Sequence, residues 1–290
     1  MIKKFRKLAA YFGLFGSSVS IHGLIFSNVR ESKALQEFYL NENFEIEMFK
    51  LIKGFGYQSF LDLGSYFGYF AIFAKAKANI KNVIAYEADP ENFTMLENYA
   101  KDNNVKIKTF NIAVGDSQGE VDLYKPAYKG TTKYPTHNQI GDPNLEPGNL
   151  YAGKDYKKVS VLMKPILSIL KENVQGMTLV KIDIEGYEER CLISIDKYLS
   201  QVGQVDFLVE IMINDLNKKQ IFNILKKNGF NCYLLTNAGL VLEDRPLTLP
   251  KPYGDIRNSK LRTLWKNHLF TKRSIEDVRD LNKKIFGYDI

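Results

Sequence analysis

The chain is poor in the residues that build metal centres and disulfide scaffolds. Its two cysteines, Cys191 and Cys232, sit in apolar surroundings outside any Cys-x-x-Cys pair, which removes support for a zinc site or a disulfide framework. Its three histidines, His22, His137 and His268, are too scattered in sequence to suggest a ligand cluster. A cytosolic, metal-free chain is the expectation. A membrane-length apolar run is missing as well, because Gly13, Gly16 and the Ser17-Ser18 pair interrupt the N-terminal one. Acidic excess is absent: 40 Lys and Arg against 33 Asp and Glu give a formal charge of +7. Hydrophobic and charged fractions of 45% and 25% are those of a globular protein and exclude wholesale disorder.

The positive charge gathers at the two ends. Lys3, Lys4, Arg6 and Lys7 precede an apolar stretch from Leu8 to Phe15, which imitates a signal peptide but is followed by no convincing small-x-small cleavage site. Ile2, Phe5, Leu8, Ala9 and Phe12 share one face of a short helix, either packed on the fold or in peripheral contact with an anionic membrane. Near the other end, Leu261, Leu264, Trp265 and Leu269 recur at helical spacing among Arg257, Lys260, Arg262, Lys266, Lys272 and Arg273. This predicts an amphipathic helix with a solvated basic face, in preference to a phosphate-binding patch.

Between the ends, strands and helices alternate. Strands are predicted at Ser18–Phe26, Ser59–Leu63, Asn82–Glu87, Lys106–Val114, Val159–Leu162, Thr178–Ile184 and Val205–Ile211, and in a final hairpin, Phe230–Thr236 with Gly239–Leu242. Helices are predicted at Glu45–Ile52, Phe67–Ala78, Pro90–Asp102, from Pro165, from Glu185 or Gly186, at Leu216–Asn228 and after Ser274. Such alternation indicates an α/β fold, a mostly parallel sheet covered by helices on both faces. Residues 126–158 break the pattern with four prolines and several tyrosines, which reads as a substrate-covering lid or as a flexible insertion. The domain reading is 1–44 as an N-terminal helix and strand extension, 45–250 as the catalytic domain, and 251–290 as a basic helical extension.

Acidic residues recur at the carboxyl ends of the predicted strands, where open α/β sheets bind ligands. Asp62, Glu87, Asp116, Asp183, Glu185 and Glu210 form this set. Clustered like charges destabilise a fold unless they bind something. The turn after the first core strand reads Asp62-Leu63-Gly64-Ser65-Tyr66-Phe67-Gly68 and lacks the Gly-x-Gly-x-x-Gly of a pyrophosphate site. A carboxylate there suits a cationic, phosphate-free cofactor such as S-adenosyl-L-methionine, with Glu87 placed for the ribose hydroxyls.

These segments resemble an FkbM-type methyltransferase of the class I S-adenosylmethionine-dependent fold. Phe60–Phe70 is similar to the family's first motif, Ala85–Pro90 to its second and Asn111–Asp116 to its third. Leu179-Val180-Lys181-Ile182-Asp183-Ile184-Glu185-Gly186-Tyr187-Glu188 resembles its Lys-Ile-Asp-x-Glu-Gly-x-Glu signature. Met163-Lys164-Pro165 departs from the family's usual Leu-Asp pair. The resemblance covers roughly Glu45 to Leu242.

The resemblance implies a Rossmann-like, mostly parallel seven-stranded sheet with a C-terminal antiparallel hairpin. It implies that Asp62, Gly64, Ser65 and Gly68 hold the methionyl end of the cofactor, Glu87 the ribose and Asp116 the adenine region. Asp183 and Glu185, two apart on an extended segment, are the candidates for acceptor binding or proton removal, with His137 of the loop a further base candidate. The expected activity is O-methylation of a glycan or small-metabolite hydroxyl. An RNA ribose 2′-O-methyltransferase and a non-catalytic binding protein on a decayed core are the alternatives, and nucleic acid is the less favoured partner.

Overall fold

In the computed structural model, residues 18–29, 33–40, 45–126, 138–141, 155–212, 218–243 and 265–287 are described. The basic N-terminal segment, His137 and most of the 126–158 loop lie outside them. Among the described residues, no helix is long and apolar enough to cross a membrane.

A hairpin opens the described chain, β1 (Ser18–Ile21) and β2 (Leu24–Ser27), followed by α1 (Lys33–Leu40) and α2 (Ile46–Gly54). The single strand expected at Ser18–Phe26 is thus two, because His22 and Gly23 both take positive φ and turn the chain back. The alternating core follows with β3 (Ser59–Leu63), α3 (Tyr69–Ala76), β4 (Asn82–Tyr86), α4 (Pro90–Asp102) and β5 (Lys108–Phe110). Asp89 caps α4, its Oδ1 accepting from the N–H of Glu91 at 2.7 Å, and Pro90 takes the first turn, where a missing N–H costs nothing.

A second, four-stranded sheet comes next: β6 (Ala113–Gly115), β7 (Gly119–Pro126), β8 (Gln139–Ile140) and β9 (Tyr156–Pro165), in the order β6-β9-β7-β8. The strand expected at Lys106–Val114 therefore divides between two sheets. Helix α5 (Ile166–Asn173) starts directly after Pro165, so the helix needs no aspartate there. Then come β10 (Thr178–Ile182), α6 (Glu188–Ile195), β11 (Val205–Met212), α7 (Lys218–Lys227), the hairpin β12 (Asn231–Thr236) and β13 (Gly239–Leu242), β14 (Trp265–Thr271) and α8 (Ile275–Phe286). Ser274 caps α8 by accepting from the N–H of Asp277 at 3.0 Å, and Gly287 ends it at φ 81°.

Among the described residues the main sheet has eight strands, in the order β13-β12-β14-β11-β10-β3-β4-β5. Strands β5, β4, β3, β10 and β11 are mutually parallel, and β14 runs antiparallel to both β11 and β12. Two differences from the expectation follow. Among the described residues the sheet has one strand more than the seven expected, and the described part of the segment read as a basic amphipathic helix, Trp265–Thr271, is instead β14, inside the sheet. The Trp265 and Leu269 spacing misled because β14 is a central strand: His268, Leu269, Phe270 and Thr271 are all buried, so no alternation marks it. Residues 265–287 therefore complete the core, and α8 seals it by accepting the N–H of Leu240 at Asn282 Oδ1, 2.7 Å away.

Apolar residues fill both faces. Phe60, Leu179 and Leu208 point to the side covered by α2, α3, α4 and α8, whereas Leu61, Val180 and Phe207 point to the side covered by α5, α6 and α7. The two-residue period of the strands then sends Asp62 and Lys181, register partners across β3 and β10, to the first side.

Candidate active site

Three strand ends build the site. After β3, Gly64 turns the chain with φ 78°, and the N–H groups of Gly64 and Ser65 both donate to the carbonyl of Tyr86 at 3.0 Å. This ties the turn to the end of β4 and brings Glu87 beneath it. Glu87 accepts from the N–H of Tyr66 at 2.7 Å and from the N–H of Asp89 at 2.9 Å. Burial pushes the Glu87 carboxyl up to about 8, against the pull of these two donors.

At the end of β10, Asp183 donates its N–H to the carbonyl of Leu63 at 3.1 Å, while Lys181 reaches over from within the strand. Its Nζ lies 3.0 Å from Asp183 Oδ2, 3.2 Å from the carbonyl of Gly64 and 3.4 Å from Asp62 Oδ1. The last contact is an ion pair without hydrogen-bond geometry: both oxygens of the fully buried Asp62 lack a hydrogen-bond partner. Burial raises the Asp62 carboxyl to about 6, opposed by Lys181. Burial alone would lower the Lys181 ammonium, but Asp183 and Asp62 overcome it and hold lysine above its usual range.

A cavity of about 150 Å³ opens above these ends. Gly64, Glu87, Asp183 and Glu185 line it together with Tyr66, Asn92 and Asn138, and an apolar wall of Ile112, Ala113, Val114, Leu123 and Ile140 closes one side. Four of the residues singled out in the sequence are thus brought together. Asp62 lies buried behind Lys181, and Ser65 and Gly68 do not line the cavity. Gly68, at φ 79°, is required for packing, since a Cβ there would stand 2.0 Å from Leu96 Cδ1. Asp116 is set apart: Tyr187 Oη donates to its Oδ1 at 3.2 Å, Arg190 Nε lies 3.8 Å from its Oδ2, and it lines no part of the cavity. His137 falls outside the described residues.

Asp183 and Glu185 share the cavity for a reason other than the strand period. Strand β10 ends at Ile182, and Glu185 lies in a turn with φ 55°. Glu188 holds that turn, its Oε1 accepting from the N–H groups of Ile184 at 2.8 Å and Gly186 at 3.2 Å. Burial raises the Glu188 carboxyl to about 7. Three non-glycine residues with left-handed backbone, Glu45, Tyr66 and Glu185, surround this region. Strain of this kind, of order 1–3 kcal/mol each, persists where the surrounding structure enforces it.

Glu45 and Glu210 extend the acidic group, and both interact with Asp183. Glu45 is pushed up to about 8 by burial and then by Asp183, while burial, Asp183 and Glu45 hold Glu210 well above the usual range. Sequence reasoning passed over Glu45, Asn92, Asn138 and the structural task of Glu188. Only Glu188 had a visible signal, as the last residue of the Lys-Ile-Asp-x-Glu-Gly-x-Glu segment.

The Methyltransferase FkbM domain description matches residues 62–232, more than half of the chain. The chain belongs to the FkbM methyltransferase family. That span begins at Asp62 and takes in the turn, Glu87, Asp116 and the Asp183–Glu188 segment. No curated protein matches the sequence. Among solved structures, the chain is similar to the ribosomal protein L11 methylase of Lactobacillus delbrueckii subsp. bulgaricus, with 15% identity, 81% of each chain covered and a TM-score of 0.38. It is similar also to the precorrin-6y C5,15-methyltransferase of Geobacter metallireducens GS-15, with 10% identity over 88% of this chain and 93% of that one, TM-score 0.37. The StiE O-MT segment gives 13% identity over 94% and 93%, TM-score 0.41.

Proposed function

We propose that the chain is an S-adenosyl-L-methionine-dependent O-methyltransferase acting on a hydroxyl of a glycan or other small metabolite. The sign of the cavity carries this reading: Glu87, Asp183 and Glu185 line it, and no Lys or Arg does so among the described residues. A pyrophosphate would need N–H or cationic donors. The buried groups left without a hydrogen bond here are acceptors instead, namely both oxygens of Asp62, whose charge is met only by the Lys181 ion pair, Asn92 Oδ1 and Asn138 Oδ1, with Ser65 Oγ able to act as one. Such a set fits a ligand that brings positive charge and N–H or O–H donors.

On this reading the Gly64–Gly68 turn, with Asp62 behind it, holds the methionyl end, and Glu87 holds the ribose. The cofactor, when bound, supplies a methyl group activated by a sulfonium. The chain's own residues then orient the acceptor and remove its proton. Asp183 Oδ2 is bonded to Lys181 and is assigned to positioning; Glu185, which lines the cavity from the turn after β10, is assigned to the acceptor proton. A base so placed contributes about 10²–10⁴-fold to the rate. The acidic mouth also disfavours a polyanion, which supports a neutral glycan or metabolite over RNA and leaves the basic segments to other work.

Titration of the full chain with S-adenosyl-L-methionine, followed by transfer of labelled methyl to a panel of glycans and small alcohols, tests the reading. Absence of cofactor binding, or labelling confined to RNA and lost steeply with added salt, would reject it.

A further inference from the structure

By the family resemblance Asp116 would stand against the adenine, yet its carboxylate is turned to Tyr187 and Arg190 and away from the cavity lining. Asn138, just before β8, lines the cavity together with the apolar wall of Ile112, Ala113, Val114, Leu123 and Ile140. Its Nδ2 donates to Asp89 Oδ2 at 2.7 Å. Asp89 is itself fully buried, caps α4 and is ion-paired to the buried Lys125 at 2.7 Å. A carboxylate only accepts, so this contact fixes the orientation of the carboxamide: nitrogen toward Asp89, oxygen at the other end. That oxygen is buried and has no partner.

Asn92 repeats the pattern nearer Glu87. It is 3% exposed, lines the same cavity, and its Oδ1 also lacks a partner. Two carboxamide oxygens thus wait for donors, one of them beside an apolar slot. An unmet acceptor beside an apolar wall is the chemistry that recognises a heteroaromatic base carrying an exocyclic amine.

We infer that Asn138 reads the base of the cofactor, its Oδ1 accepting from the exocyclic amino group of adenine. The inference rests on the proposed cofactor and adds the residue that separates a 6-amino from a 6-oxo purine. With an oxo group in that place, two acceptor oxygens would face each other.

The test measures, by calorimetry on the full chain, the Kd of S-adenosylhomocysteine and of its inosine counterpart for wild type and Asn138→Ala. Wild type is expected to prefer the adenosine form by about 10–100-fold, the range for an acceptor left facing no donor. Asn138→Ala is expected to bring the two Kd values within about 3-fold of each other, chiefly by weakening the adenosine form. A residue that merely steadies the loop would weaken both ligands alike, so an unchanged ratio overturns the inference. A wild type that binds both forms equally overturns it too. A wild type that binds neither rejects the cofactor reading itself and the inference with it. Should Asn138→Ala melt below the assay temperature, Asn138→Leu, of similar size, takes its place in the comparison.

Discussion

Lys181 Nζ lies 3.0 Å from Asp183 Oδ2 and so joins the buried floor of the site to its lining. The same ammonium is the cation next to Asp62, at 3.4 Å, and both Lys181 and Asp62 are almost wholly buried. Lys181→Met therefore leaves a buried carboxylate without its counter-charge, which costs about 3–5 kcal/mol when one partner of such a pair is removed. Asp62 can escape the cost by taking a proton. The expected result is a melting temperature well below wild type at pH 8, with the deficit shrinking toward pH 5. A deficit independent of pH would show that lost packing, not lost charge, is responsible.

Among the described residues six carboxyls have folded values above their ordinary ones, each raised first by burial: Asp62 at about 6, Glu188 at about 7, and Glu45 and Glu87 at about 8, with Asp206 and Glu210 raised as well. In the window between the ordinary carboxyl range and these values, the folded chain holds more protons than the unfolded one. Their contribution to stability is then fully present below about pH 4 and lost as pH rises through 6 to 8. Thermal melts of the ligand-free protein should move to lower temperature across that window, set against the carboxylates that behave ordinarily. A cationic ligand favours the ionised carboxylates, so its binding should release protons. Calorimetric titration near pH 7 in two buffers of different ionisation enthalpy reads that release directly, and no buffer dependence would contradict it.

How much of this was legible in the chain varies by element. Strands β3, β4 and β10 are short, mostly apolar runs with an acid at or just after their ends, and Gly64 and Gly186 mark the turns after β3 and β10, so Asp62, Glu87 and Asp183 could be placed at the sheet rim from local pattern alone. Strand β14 could not, because Trp265-Lys266-Asn267-His268-Leu269-Phe270-Thr271 mixes polar and apolar residues without alternation. What makes it a strand is its insertion between β11 and β12, a long-range event. Asn138 was illegible for a similar reason: its partner Asp89 is 49 residues away, brought close only by the β7–β8 pairing. Glu185 was found, but by an argument from strand period that the turn at φ 55° replaces.

Glu185 and Glu188 should separate cleanly in kinetics. Glu185→Ala removes the assigned base while leaving the Gly64–Gly68 turn and Glu87 untouched. Cofactor Kd should change by less than about 3-fold, and kcat should fall about 10²–10⁴-fold. Glu188→Ala instead frees the N–H groups of Ile184 and Gly186, whose bonds to this carboxyl are worth about 0.5–3 kcal/mol apiece, more as it ionises. It should lower both stability and kcat. Glu188→Gln keeps an acceptor oxygen and should recover most of the stability. Full turnover in Glu185→Ala would sink the assignment of the base.

Gly64 tests whether the turn glycine serves the fold or the ligand. Its φ of 78° already disfavours a side chain, and a Cβ would stand 1.8 Å from the carbonyl oxygen of Asp183. That oxygen belongs to backbone, and the N–H of Asp183 is bonded to Leu63 next door, so neither strand end can yield without breaking the β3–β10 register. Gly186 provides the control: at φ 97° it has the same backbone preference, but a Cβ there meets nothing within 4 Å. Gly186→Ala should therefore lose only the conformational term, about 1–3 kcal/mol. Gly64→Ala should lose clearly more, read as a lower urea midpoint or failure to accumulate folded protein. If Gly64→Ala kept the midpoint of wild type and lost only cofactor affinity, the close approach of β3 and β10 would not be the reason for glycine, and the cofactor alone would be.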